Sequence, residues 1–188
     1  MLQELTNDMT LYHGSYCEVQ APDLTKCAKN KDFGKGFYLT TSKKQAENFA
    51  RISTTRAIYN GMADKDQLYG FVSAFRTETV ELLSVKMYLD ADADWLHCVV
   101  GHRKKGSFPD LVESLKQFDV IAGKIANDNT NVTITTYIAG AFGTIGTREA
   151  DNICMSLLLP ERLKDQFCFR TDQAMKCLTF VESEQVWR

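Results

Sequence analysis

The chain has 188 residues, a formal net charge of −2 and a pI near 5.9, a balance that argues against a broad nucleic-acid footprint while leaving room for a local basic patch. Its length predicts one domain, 1–188, with a core that needs no disulfide or metal staple. No apolar run reaches membrane length, MLQELTNDMT lacks a signal-peptide profile, and the six cysteines (17, 27, 98, 154, 168 and 177) include no C-x-x-C pair. A cytoplasmic protein with reduced thiols, no bound metal and no membrane partner is expected.

In chain order, residues 1–9 read as a polar lead-in and Thr10–His13 as a strand running into Gly14 and Ser15. Residues 16–33 form a loop with Pro22 and several lysines, of the kind that lies across a ligand cleft. The stretch Asp32–Ala50, DFGKGFYLTTSKKQAENFA, organises the rest. Gly34 and Gly36 flank Lys35 and permit a sharp turn and a close approach. Phe37, Tyr38 and Leu39 form a strand. Ser42 is the N-cap of a helix whose Ala46, Phe49, Ala50 and Ser53 share one face. Tyr38 and Phe49 are expected to face one cavity from two walls and to sandwich a flat heterocycle.

Asn60–Gln67 is a polar loop, and 69–76 and 79–88 read as two neighbouring strands. DADAD at 90–94 imitates the start of a calcium loop but meets Trp95 at the sixth place and Gly101 at the twelfth. It instead starts a helix, Ala93–Arg103, with Trp95, Leu96 and Val99 buried and His97 and His102 at the surface. RKKGSFP, 103–109, is a solvated basic loop available to an anionic acceptor. Residues 118–126 form a buried strand leading into NDNT, a turn or helix cap. Residues 132–142 carry mixed signals and stay open. The glycines of GAFGTIG are spaced three and three, unlike G-x-G-x-x-G, so a Rossmann fold is disfavoured. Arg148–Leu158 is a helix with Ile153, Leu157 and Leu158 inward, ended by Pro160. In the strand 165–171, alternation puts Gln166, Cys168 and Arg170 on one face and the two phenylalanines on the other. A short helix in TDQAMKCL and a final strand in LTFVES complete the chain.

LYHGS (11–15) and the 32–50 segment together resemble two motifs of the poly(ADP-ribose) polymerase type of ADP-ribosyltransferase, the His-Tyr-Glu/Gln clade. In that family a strand histidine is followed by glycine and serine. A Gly-Lys-Gly turn leads into a strand tyrosine, with a second aromatic eleven residues on, the interval from Tyr38 to Phe49. The chain also resembles a small bacterial family of uncharacterised proteins in that superfamily. The resemblance implies an α+β fold, an ADP-ribosyltransferase-like split of two small antiparallel sheets with flanking helices. It implies NAD as substrate and no metal. His13 would bond the 2′-hydroxyl of the adenosine ribose. Gly14 would offer its N–H and C=O to the nicotinamide amide, and Ser15 its hydroxyl. Tyr38 and Phe49 would stack on the ring above the Gly34-Lys35-Gly36 turn, with Lys35 beside the phosphates or solvated. Asp119, Asn127 and Asp128 match positions in the bacterial family and join as second-tier candidates.

The third catalytic position, usually a glutamate, falls on Gln166, so the implied catalytic set is His13, Tyr38 and Gln166. Glutamine carries no charge and is no general base. Either the acceptor needs no deprotonation, or Asp165, Asp172 or Asp128 supplies a carboxylate, or turnover is slow. Chain elongation of ADP-ribose is disfavoured. The implied function is mono-ADP-ribosyl transfer from NAD to a macromolecular acceptor, protein or nucleic acid. The alternatives are an NAD glycohydrolase and an inactive NAD- or ADP-ribose-binding or protein-interaction module.

Overall fold

The structure, a computed structural model, describes residues 2–125, 128–158 and 164–188. Its strands are β1 (Thr10–Ser15), β2 (Phe37–Leu39), β3 (Tyr69–Thr77), β4 (Val85–Met87), β5 (Val120–Lys124), β6 (Asp165–Phe169) and β7 (Leu178–Trp187). Its helices are α1 (Lys43–Tyr59), α2 (Ala93–Arg103), α3 (Pro109–Ser114), α4 (Asp128–Ile138), α5 (Arg148–Leu158) and α6 (Asp172–Lys176). The expected α+β class is met, with two small sheets.

The first sheet has the order β1-β3-β7 and is antiparallel throughout. The second has the order β2-β6-β5-β4, and its β4–β5 pair is parallel. The expectation of two antiparallel sheets is corrected on that point: β4 returns to β5 through the crossover that carries α2 and α3, as a parallel neighbour requires. The expected neighbours 69–76 and 79–88 also separate. The first is β3 in one sheet; of the second only Val85–Met87 is strand, and it lies in the other sheet.

Alternation along the second sheet divides the core. Phe37, Leu39, Val120, Ala122, Phe167 and Phe169 point to one side, where they pack with Leu11 and Phe75 of the first sheet. Ile121 and Cys168 point to the other, where Trp95, Leu96 and Val99 of α2, Ile134 and Tyr137 of α4, and Cys154 of α5 cover them. Gln166 thus lies on the helix side, as its register predicts. The lead-in is less polar in effect than in composition, because Leu2, Leu5 and Met9 are buried in the sheet–sheet core.

Helix α1 covers the outer face of the first sheet. Ser42 caps it by accepting from Gln45 N–H. Its buried stripe is Ala46, Ala50, Thr54 and Ala57, small residues that let it settle on Val72 and Val186. Asp92 caps α2 on Trp95 N–H, and α2 buries Trp95, Leu96 and Val99 as expected. On α5 the inward residues are Ala150, Asp151, Cys154 and Leu158, whereas Ile153 and Leu157 are 44% and 54% exposed. Their expected inward placement is corrected: the stripe that fits against α2 and α4 is the small-residue one. Residues 132–142, left open, supply the C-terminal part of α4. Pro160 lies outside the described residues.

Candidate functional site

The backbones of the two sheets meet at Tyr12 and Thr40. Tyr12 of β1 donates to and accepts from Thr40, just past β2, at 2.8 and 3.0 Å. Because Tyr12 turns its N–H and C=O away from β3, Gly14, two residues on, turns its own pair toward that same edge. Among the described residues no hydrogen-bond partner meets them there. Gly14 must be glycine for a reason of packing: a Cβ would stand 2.0 Å from Ala46 O and 2.8 Å from Ala50 N. Ser15, beside it, is buried.

His13 sits at the same junction. Its ring lies against Phe37, centroids 4.4 Å apart, and its Nδ1 is 2.8 Å from the Tyr38 carbonyl. A carbonyl only accepts, so Nδ1 carries the proton and the neutral ring keeps a lone pair on Nε2. Burial lowers the His13 pKa, and the bond to Tyr38 offsets this only in part, which favours the neutral form.

Tyr38 extends its ring to the helix side of the sheet. Its hydroxyl accepts from Phe33 N–H at 2.9 Å and donates to Gly34 C=O at 2.8 Å, which fastens the turn before β2. Gly34 takes φ +79° there, a conformation suited to glycine. Burial, with Cys168 and Asp32 nearby, holds the Tyr38 pKa well above the usual tyrosine value, so the phenol stays neutral. Gly36 packs on Cys168 and Phe169 of β6, and Lys35 is exposed. Phe49 stands off the buried stripe of α1, 40% exposed, with the Lys31 ammonium 5.9 Å over its ring. The structure does not bring the Tyr38 and Phe49 rings into contact.

Gln166 is buried, and its Nε2 donates to Asp32 Oδ2 at 2.8 Å and to Lys124 C=O at 3.3 Å. Asp32 is the residue that sequence reasoning missed. Its Oδ1 accepts from Arg103 Nε at 3.0 Å and Nη2 at 2.5 Å, and Arg103 also donates to Asn131. The carboxylate beside Gln166 is therefore neither Asp165, which pairs with Lys124 at 2.7 Å, nor Asp172, exposed on α6. Asn127 and the side chain of Asp128 lie outside the described residues. Asp119 is a brace: it accepts from Ser84 N–H and hydroxyl and from the α6 N-cap Thr171. Burial alone would raise its pKa, but those hydrogen bonds hold it below the usual carboxylate value.

Three further expectations are corrected. Arg103 ends α2, as the expected helix Ala93–Arg103 has it, but its guanidinium is mostly buried on Asp32 rather than solvated. His97, placed at the surface, pairs with Asp151 at 2.8 Å and stacks on Phe108 at 4.2 Å, and Tyr137 also donates to Asp151. His102, likewise placed at the surface, bonds Cys98 C=O through Nδ1 at 2.9 Å with its ring against Gly34. Arg103 and His97 are brought inside because a partner satisfies them. Burial pushes the thiols of Cys98, Cys154 and Cys168 up to about 12, so none is a thiolate nucleophile near neutral pH.

No described helix is long and apolar enough to cross a membrane. A search of curated proteins finds no match. A family profile described as "Protein of unknown function (DUF3990)" matches residues 9–180, nearly the whole length. The chain belongs to the DUF3990 family.

Proposed function

We propose that the chain is an NAD-dependent mono-ADP-ribosyltransferase acting on a macromolecule. The observation that carries this reading is the junction at Tyr12–Thr40. There one strand presents the His13 Nε2 lone pair and the unmet N–H and C=O of Gly14, one residue apart. The donor set fits NAD: a paired N–H and C=O matches a carboxamide, and a neutral imidazole nitrogen accepts from a ribose hydroxyl. NAD supplies the ADP-ribosyl group, with nicotinamide as its leaving group.

The chain's own residues orient and hold. His13 is fixed in one tautomer by Tyr38 C=O, and Tyr38 is fixed by the turn it fastens. Lys124 C=O and Asp32 occupy the Gln166 amide nitrogen, which turns the amide oxygen to the role of hydroxyl acceptor. Asp32 has Arg103 and Gln166 on its two oxygens and so holds the Gln166 amide in place. General-base help is worth roughly 10² to 10⁴ in rate. The reading therefore calls for an acceptor that needs no deprotonation, for a carboxylate from Asp128, or for slow turnover.

The committed state of Asp32 also favours a second reading, a module that binds NAD or ADP-ribose without transfer. Labelled NAD incubated with the purified protein, alone and with cell lysate or nucleic acid, separates the two. The transferase reading expects label on a macromolecule, reduced by at least about tenfold in His13→Gln. Free nicotinamide without labelled acceptor would instead indicate a glycohydrolase. NAD binding without either product would indicate the binding module, and absence of NAD binding would end all three.

A further inference from the structure

A cavity of about 570 Å³ lies beside the Gly34–Lys35 turn. Of the candidate NAD residues Gly34 and Lys35 line it, and His13, Gly14, Ser15, Tyr38, Phe49 and Gln166 do not. Its volume falls within the roughly 300–1,000 Å³ of small-molecule sites. Four cations border it, Lys29, Lys35, Lys116 and Arg170, and among the described residues no aspartate or glutamate does. In a chain of net charge −2 that concentration is local. Carboxylates near the lining have partners: Asp119 accepts from Thr171, itself a lining residue, and from Ser84. Glu113 takes Lys116 at 2.6 Å on the surface, and Asp23 lies 3.9 Å from Lys26, within the field of Lys35. Lys29 and Arg170 have no ion-pair partner among the described residues.

A second observation points to the same place. Arg170 donates Nη1 to Leu115 C=O at 2.6 Å, but its Nε is buried without a hydrogen-bond partner. His102, on the same wall, spends Nδ1 on Cys98 and leaves a buried Nε2 equally unmet. The unmet Arg170 Nε is a donor and calls for an acceptor; with Nδ1 donating to Cys98, His102 Nε2 is a lone pair that calls for a donor such as a phosphate hydroxyl. Apolar surface from Leu24, Val112 and Phe118 completes the lining.

We propose that this cavity binds a small phosphate-bearing molecule, its anionic end toward Lys29, Lys35 and Arg170 and its body on Leu24, Val112 and Phe118. The inference goes beyond the NAD reading and does not rest on it. Calorimetric titration of the full chain with inorganic phosphate and with phenyl phosphate tests it. Saturable binding is expected, tighter for phenyl phosphate because only that probe meets the apolar wall. Lys29→Gln and Arg170→Gln should each weaken it by about tenfold, and His13→Gln should leave it unchanged. Arg170→Gln also removes the bond to Leu115, so the exposed Lys29, which makes no such bond, carries the test independently of folding. The His102 ring resonances should shift on saturation. Absence of saturable binding by either probe, wild-type affinity in Lys29→Gln, or equal loss in His13→Gln would overturn the proposal. Phosphate binding by a chain that ignores NAD would uphold it while ending the NAD reading.

Discussion

Asp32 and Gln166 define the residue scale of the account. The pair is buried, and Arg103 neutralises it from the end of α2. Removing one partner from a buried ion pair leaves an uncompensated charge, which costs about 3–5 kcal/mol. Arg103→Met is thus expected to lower the unfolding free energy, measured by urea titration, by that order, and Asp32→Met with Arg103→Met together by less than Arg103→Met alone. An additive double mutant would show that the pair is not coupled. Gln166 was legible because strand alternation fixes a face whatever the partner. Asp32 was not, because its partners lie 71 and 134 residues away, and an aspartate before Phe-Gly reads locally as a turn residue. His102 escaped for the same reason: its wall is built by the turn at Gly34.

At the scale of elements, the close seat of α1 on β1 decides what Gly14 can become. Its Cβ would meet backbone atoms, which cannot swing aside as a side chain could. Gly14→Ala is expected to cost about 3 kcal/mol or more, measured by thermal or urea unfolding. Lost activity in that variant would therefore not establish ligand contact, and wild-type stability would refute the packing reading. Tyr38→Phe is a milder change. It unties the hydroxyl from Phe33 and Gly34 and is expected to cost about 1–3 kcal/mol, with faster amide exchange across the turn. Unchanged exchange would show that the hydroxyl does not hold the turn. The spans of α2 and α5 were readable from caps and periodicity. The inward face of α5 was not, because apolar residues occur on two of its sides and only the packing against α2 and α4 selects Ala150 and Cys154. Nor was the sheet to which β4 belongs, since strand pairing is a long-range choice without a local signature.

For the whole molecule, His13 and His102 tie stability to pH. Burial lowers both pKa values beneath the unfolded value of about 6.5. On acidification the unfolded chain takes up protons first, so the stability these residues contribute is full above about pH 6.5 and is lost as pH falls through their folded values. The urea midpoint is expected to drop between about pH 7 and about pH 5.5, and to drop less in His13→Gln and His102→Gln. A flat profile across that window would contradict the burial of both rings. The depressed pKa of Asp119 adds a separate loss at lower pH, beneath the usual carboxylate range. The α+β class and the approximate positions of most elements were legible at this scale. The parallel β4–β5 pair and the helix-side placement of Tyr38 were settled only by packing.

The measurement that bears most directly on the central claim is equilibrium titration of the wild-type chain and His13→Gln with NAD. The account expects saturable binding that weakens by at least about tenfold in the variant, because the proposed reading has the neutral His13 nitrogen and the Gly14 edge recognise NAD together. Absence of saturable binding, or identical affinity in a folded His13→Gln, would contradict it.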